Sequence, residues 1–142
     1  MKVLDLHMTY KELYSNTIII IKIGNFYETY DKDAIIINQI TKYKLKYKNS
    51  ITVGFPLISL DKVKSKLEDL HINYIIIEKT DCYKIISKKK FKDNNYIKYE
   101  EEAQKKLIIK TRIDDIYNYL TSYKNENINE ILLKIENIIY ER

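Results

Sequence analysis

The chain contains few of the residues from which many functional sites are built. Its 142 residues include two glycines, one proline, one cysteine, two histidines and no tryptophan. Neither Gly24 nor Gly54 begins a G-x-x-x-x-G-K-[ST] or G-x-G-x-x-G loop, so an ATPase or dinucleotide site is excluded. A single cysteine cannot form an intrachain disulfide, and we therefore expect a reducing compartment, the cytoplasm.

Long apolar runs and metal-ligand clusters are missing as well. The longest apolar run, TIIIIKI at 17–23, is far too short to span a bilayer, and the N-terminal residues lack a signal-peptide apolar region. We expect no membrane association, no cofactor and no Cys/His metal site. For His7 and His71 we expect helix-end or surface positions, and for Cys82 a packing position in a strand.

One enzymatic hypothesis rests on carboxylates. Asp31 and Asp33 lie close to Glu28 in the sequence, and a metal-dependent nuclease would need such groups to converge. Residues two apart do not share a helix face, however, and nothing else in the chain indicates a metal. We therefore predict that the protein is not an enzyme.

The residues that are abundant indicate a folded protein with a basic surface. Apolar residues make up 45% and charged residues 32%, a balance typical of globular domains. The net charge of +5 is compatible with a polyanionic partner, and fourteen tyrosines and three phenylalanines would suit base stacking or core packing.

The first forty residues alternate strand and helix patterns. A short helix is predicted over 8–15, followed by a strand at 17–23 that is buried on both faces. After Gly24, apolar residues recur at spacings of three and four, which predicts a helix from Asn25 to about Gln39. The recurring residues are Tyr27, Tyr30, Ala34 and Ile37.

A lysine-rich stretch follows, TKYKLKYKNS at 41–50. Its strict alternation predicts a strand with one wet face and a return strand at 51–55. The lysines of the wet face are Lys42, Lys44, Lys46 and Lys48. Ser59 is expected to cap a helix, and 72–79 and 82–91 are predicted to form an antiparallel pair of strands.

These interleaved patterns predict an α/β fold, a mixed β-sheet flanked by helices. The composition changes near Lys92, and the rest has helical periodicity, with SYKNEN at 122–127 as a loop. We predict an α/β domain over 1–92 and a C-terminal helical extension over 93–142. The apolar stripes of the extension are Ile113, Ile116 and Leu120, then Ile128, Ile131, Leu132, Ile135, Ile138 and Ile139.

The stretch GNFYE at 24–28 has two explanations. Asn25 as N-cap and Glu28 at the third helical position would form a capping box, with Phe26 packed in the first turn. In extended backbone, Phe26 and Glu28 would instead point to the same side and could contact a ligand together. The exposure of Phe26 separates the two.

With the residues that follow it, GNFYE resembles the mismatch-recognition domain at the N-terminus of the MutS family of DNA mismatch repair proteins. That family shows a strand, Gly-Asp-Phe-Tyr-Glu and a helix, then Ala-Gly-(Val/Ile)-Pro-Tyr-His-Ala, an amphipathic helix and a strand. The parallels here are 24–28, VGFP at 53–56, and the patterns at 60–70 and 72–78. Leu57-Ile58-Ser59 departs from Tyr-His-Ala, and the helices after Lys92 have no counterpart in this resemblance.

The resemblance implies a stand-alone module that binds mispaired or distorted double-stranded DNA, without connector, clamp or ATPase domains. In that family the phenylalanine wedges into the minor groove and stacks on the mispaired base, and the glutamate hydrogen-bonds that base. These roles fall on Phe26 and Glu28. The lysines of 41–50 would anchor phosphates or form an ordinary solvated edge.

The alternative is a protein-interaction module that keeps the fold without DNA recognition. The C-terminal helices would then pack on their own domain, bind a protein partner or form an isologous homodimer contact.

Overall fold

A computed structural model describes residues 2–122 and 127–141. The elements in chain order are α1 Val3–Leu13, β1 Ile18–Ile23, β2 Phe26–Tyr30, α2 Asp31–Thr41, β3 Lys46–Tyr47, β4 Ile51–Pro56, a 3-10 turn Leu57–Ser59, α3 Leu60–Asp69, β5 Tyr74–Lys79, β6 Tyr83–Lys89, α4 Tyr96–Ser122 and α5 Ile128–Tyr140. This order confirms the predicted α/β fold with helices at its C-terminus.

The six strands form one mixed sheet in the order β3-β4-β2-β1-β5-β6. Strands β1 and β5 pair in parallel, and the other four adjacent pairs of strands are antiparallel. The parallel pair lies inside the sheet, where both faces are covered, which explains why its sequence is continuously apolar. The predicted strands at 17–23, 51–55, 72–79 and 82–91 are confirmed by β1, β4, β5 and β6.

The core lies on both faces of the parallel pair. On one face α1 packs through Leu6 against alternate isoleucines, among them Ile19 and Ile77. Because side chains alternate along a strand, Ile18 and Ile20 point to the opposite face. Both are fully buried, as is Ile36 of α2.

Two element predictions are wrong at their boundaries. The lysine-rich segment pairs only at Lys46–Tyr47, because α2 continues to Thr41 and Lys42 then adopts φ +65. The N-terminal helix begins at Val3, five residues before the predicted start. Ser59 does precede α3, but its side chain makes no capping hydrogen bond.

The chain forms two compact units, Met1–Lys105 and Lys106–Arg142. Within the first unit, Asn94 holds the start of α4, because its side-chain oxygen accepts from the backbone amides of Asn73 and Tyr96. The domain boundary after residue 92 stays a prediction. Most of the predicted SYKNEN loop, residues 123–126, lies outside the described residues.

Within residues 2–122 and 127–141, no helix combines the length and apolarity that a membrane crossing requires.

Candidate nucleic-acid interface

A tight hairpin between β1 and β2 places Phe26 at the start of a strand. Ile23 pairs with Phe26, so Gly24 and Asn25 alone form the turn, and Gly24 has φ +57, which favours glycine. The predicted helix from Asn25 is therefore wrong over its first turns, since α2 begins only at Asp31. Without a helix start at Asn25, the capping box does not exist.

Phe26 and Glu28 lie on the same face of the sheet, because residues two apart in a strand point the same way. Phe26 is 53% exposed and Glu28 is half-buried. Their cross-strand neighbours on β4, Pro56 and Gly54, are small or exposed. A large aromatic ring and a carboxylate thus stand side by side on an accessible patch at one end of β2.

Tyr30 positions the Glu28 side chain, which lies over Gly54 of β4. A Cβ at Gly54 would lie 3.6 Å from the Glu28 Cγ, an ordinary van der Waals contact, so the hydrogen bond from Tyr30 rather than the glycine fixes the carboxylate. The Tyr30 hydroxyl donates to Glu28 Oε2 at 2.6 Å. Burial, the hydrogen bond to Glu28 and its charge raise the pKa of Tyr30 far above its ordinary value. The phenol therefore stays protonated and donates to only one of the two carboxylate oxygens.

An aromatic stack supports the same strands from the opposite face. The Phe55 ring centroid lies 5.6 Å from that of Tyr27 and 5.7 Å from that of Tyr43. Offset stacking at these separations stabilises ring pairs beyond their buried area. The exposed patch is therefore carried by a rigid, well-packed part of the sheet.

Of the four predicted lysines, Lys46 is the one in a strand. It pairs with Thr52, which on its other side pairs with Tyr30, so Lys46 shares the sheet face of Phe26 and Glu28. Lys42 ends α2, and Lys44 and Lys48 lie outside the strands, although all four lysines are exposed. The prediction that a single strand aligns the four is wrong, because only two residues of the segment pair.

Sequence reasoning missed a buried polar cluster on the same side of the sheet as α1. The Asp33 carboxylate, fully buried, accepts from His7 Nε2 at 3.0 Å, Lys11 Nζ at 2.8 Å, the Tyr96 hydroxyl at 2.6 Å and the Ile19 amide at 3.0 Å. One carboxylate thereby connects α1, β1, α2 and α4.

The surroundings of Asp33 keep its carboxylate ionised. Burial by itself would raise the pKa of Asp33, but the hydrogen bond from His7 and the nearby charges of Lys11 and His7 outweigh it and lower the pKa. Burial, together with the charge of Asp33, raises the pKa of Tyr96. The cluster therefore holds an ionised carboxylate against a neutral phenol.

The predictions for His7 and Cys82 are wrong. His7 is 3% exposed and packs edge-on against Tyr30 at 5.3 Å, and Cys82 is exposed in the turn before β6. His71 does lie at a helix end, stacked on Phe91. One sequence signal could have revealed the cluster: His7 and Lys11 are four apart and so share one face of α1.

The carboxylates near the hairpin do not converge. Glu28 lies on the exposed patch, while the Asp33 carboxylate is buried and already bound by His7 and Lys11. Among the described residues, no group of three His, Cys, Asp or Glu side chains is arranged to hold a metal ion. The geometry gives no support to the nuclease hypothesis.

The family model of MutS domain I matches residues 3–117. The chain belongs to the MutS domain I family. At the level of that family it is a DNA-binding, mismatch-recognition module. The match runs from α1 into α4, so the helix residues from 93 to 117 do have a counterpart in the family, contrary to our expectation, whereas α5 lies beyond it. No curated protein matches the chain.

Proposed function

We propose that this MutS domain I chain binds mispaired or distorted double-stranded DNA, with Phe26 as a wedge and Glu28 as a contact to the displaced base. The observation that carries the proposal is the 53% exposure of Phe26 on a strand, with Glu28 two residues on and facing the same way. Neither ATP hydrolysis nor catalysis is part of this function, and we place it in the cytoplasm.

The energetics of a wedge favour distorted DNA. Unstacking a base step costs a few kcal/mol, and bending the duplex returns contact area. A mispaired base is already weakly held, so its displacement costs least. Stacking of the base on the Phe26 ring would return roughly 1–3 kcal/mol. The preference for a mismatch arises because a mispaired base costs less to displace than a correctly paired one, while the stacking on Phe26 is the same.

Glu28 adds selectivity rather than affinity. A carboxylate near phosphates is repelled, so it helps only where a base edge offers a hydrogen-bond donor. With Oε2 engaged by Tyr30, Oε1 is the oxygen available for that donor. The displaced base would therefore meet a fixed acceptor next to the aromatic ring.

The exposed lysines supply the sequence-independent part of binding. Lys46 lies on the sheet face of the wedge, and Lys42, Lys44 and Lys48 are exposed nearby in the sequence. If all four neutralise phosphates, the slope of log K against log salt concentration is about −3.6. Since the contacting residues all precede residue 92, the division into a DNA-binding part, 1–92, and a helical extension, 93–142, belongs to this proposal.

Fluorescence anisotropy tests the wedge on two labelled duplexes that differ by one mismatched pair. We expect weak, salt-sensitive binding of both, as befits one small module, and tighter binding of the mismatched duplex. Phe26→Ala should remove the preference and weaken mismatch binding about 5- to 100-fold. Ile97→Ala, at an apolar side chain of equal exposure, is the matched control and should change neither affinity.

Equal binding of the two duplexes by the wild-type protein, or an unchanged preference in Phe26→Ala, would refute the wedge. No duplex binding by the wild-type protein at low salt would favour the second candidate, a protein-interaction module. The observation that favours this candidate is the exposed apolar surface of the C-terminal helices.

A further inference from the structure

The unit Lys106–Arg142 exposes an unusual number of large apolar side chains. Among its described residues, ten large apolar side chains are more than half exposed: Ile108, Ile109, Ile113, Ile116, Tyr117, Tyr119, Leu133, Ile138, Ile139 and Tyr140. Single exposed apolar residues are ordinary, whereas contiguous apolar surface beyond a few hundred Å² marks an interaction site. The distribution of these residues along the helices decides which kind of site.

Both helices carry a seven-residue repeat. Ile109, Ile113, Ile116 and Leu120 of α4 follow one another at spacings of four, three and four. In α5 the spacings are three, four and three, at Ile128, Ile131, Ile135 and Ile138. Alternate spacings of three and four place apolar residues along one seam and are the pattern of helices that pack side by side in a bundle or coiled coil. We call these eight residues the isoleucine seam.

The identity of the seam residues indicates how many helices meet. Seven of the eight are isoleucine, at both positions of the repeat. Isoleucine at both positions disfavours two-helix pairing and favours three or four helices. Each chain supplies two seam-bearing helices, so two copies supply four.

The amount of apolar surface agrees with a second copy. A large apolar side chain that is more than half exposed offers about 70–100 Å² for burial. The ten together offer about 700–1,000 Å², close to the roughly 800 Å² that each partner contributes to a standard interface. Four of them, Ile109, Ile113, Ile116 and Ile138, belong to the seam, so the interface also has to cover apolar residues outside it. Charges of both signs, from Lys110 and Asp114 to Glu130 and Lys134, flank the seam, so like charges do not oppose self-association.

We propose that the isoleucine seam is an isologous interface, at which the second part of α4 and α5 pack against the same helices of a second copy of this chain in a four-helix arrangement. The interface is independent of DNA. Its consequence for DNA is avidity, because two DNA-binding surfaces on one assembly raise the apparent affinity for a long duplex.

Sedimentation equilibrium of the full chain without DNA, from about 5 to 200 µM, tests the interface. We expect the wild type to weigh twice its 17.1 kDa chain mass. The double variant Ile116→Lys, Ile135→Lys places charge in the middle of both seams and should raise the dimer dissociation constant at least about 100-fold. The control Asn118→Lys, Asn137→Lys adds the same charge to the same helices off the seam and should remain a dimer.

A second double variant, Ile116→Ala with Ile135→Ala, keeps helix propensity high and removes only the apolar side-chain atoms of two seam residues. It should weaken the dimer about 10-fold or more, while circular dichroism reports unchanged helix content in the dimer. A monomeric wild type at 200 µM, a mass above two copies, or a Lys variant that stays dimeric would each overturn the proposal. Because no DNA is present, none of these outcomes bears on the wedge.

Discussion

Isoleucine is abundant in both compact units of the chain, but its environment differs between them. In Met1–Lys105, Ile18 to Ile21 are fully buried, whereas in Lys106–Arg142 Ile113 and Ile138 are 59% and 75% exposed. The strands find covering elements within their own unit. In the seam of α4 and α5, four residues are half-buried, while Ile109, Ile113, Ile116 and Ile138 are more than half exposed. An apolar pattern therefore specifies that a face will be buried, and the topology decides by what.

The first prediction concerns the buried Asp33 cluster. In the unit Lys106–Arg142, which we call the helical unit, every carboxylate among the described residues is exposed. Asp33→Ala should lower the free energy of unfolding by about 3–5 kcal/mol, because Lys11 and the buried His7 and Tyr96 lose the acceptor they share. Asp114→Ala, at an exposed position of α4, should change it by no more than about 0.5 kcal/mol. Urea denaturation monitored by circular dichroism measures both. Equal effects would mean that the cluster is no more important to stability than a surface charge.

The second prediction compares isoleucines directly. Ile36→Ala should cost about 2–5 kcal/mol, since it opens a cavity in a close-packed core. Ile138→Ala, measured below the concentration at which chains associate, should cost less than about 0.5 kcal/mol. The same urea titrations give both values. A large cost at Ile138 in the monomer would show that α5 is covered within its own chain.

The third prediction uses pH to separate buried from exposed tyrosines. Burial and the hydrogen bond to Glu68 raise the pKa of Tyr74 to about 12. A raised folded-state pKa stabilises the neutral form, so this contribution is complete below the unfolded value near 10 and is lost as the pH rises toward 12.

The measurement is the urea midpoint between pH 9 and 12. In the wild type we expect this midpoint to fall as the pH rises. In Tyr74→Phe the fall should be smaller, because only the contributions of Tyr30 and Tyr96 remain. Tyr140→Phe, in the helical unit, should show the same fall as the wild type. A Tyr74→Phe curve parallel to the wild type would contradict the expected linkage.

The smallest expected effect tests the support of Glu28. Tyr30→Phe removes the hydroxyl that holds Oε2 and leaves the ring in its packing position. We expect mismatched-duplex affinity to fall about 3- to 10-fold, a loss of about 1 kcal/mol, with matched-duplex affinity unchanged. Tyr27→Phe, on the opposite face of the same strand, is the control for anisotropy. An equal loss on both duplexes would mean that the hydroxyl acts on general binding rather than on the base contact.

The strands that bury both faces were the most predictable part of the fold. The residues of β1 and β5 are β-branched, apolar and bounded by polar residues, and no helix pattern competes with them. At 26–30 two periods fit at once. Tyr27, Tyr30, Ala34 and Ile37 match a helix, while Phe26, Glu28 and Tyr30 match a strand. Pairing with β1 and β4 decided the outcome, and such long-range pairing is not visible in a local window.

The candidate site likewise has a part that a local sequence pattern predicts and a part that only the fold brings together. Phe26 and Glu28 lie within a short motif, so a local pattern and a family resemblance were enough to single them out. The Asp33 cluster joins His7 to a residue 26 positions away and Tyr96 to one 63 positions away. Only the fold brings such residues together. For the four lysines, the local pattern predicted more structure than the fold contains. The segment 41–50 alternates strictly, but it lies at the edge of the sheet, where only β4 is available for pairing, and only Lys46 and Tyr47 pair with it.

The parallel pairing of β1 with β5 has a consequence for synthesis of the chain. Ile18 pairs with Tyr74, so four consecutive isoleucines leave the ribosome well before the strand that will cover their edge. At 5–20 residues per second, that edge stays open for roughly 3–11 seconds in a bacterial or eukaryotic cell, long enough to meet other nascent chains. Chaperone dependence during translation, rather than low final stability, would then limit the yield of this protein.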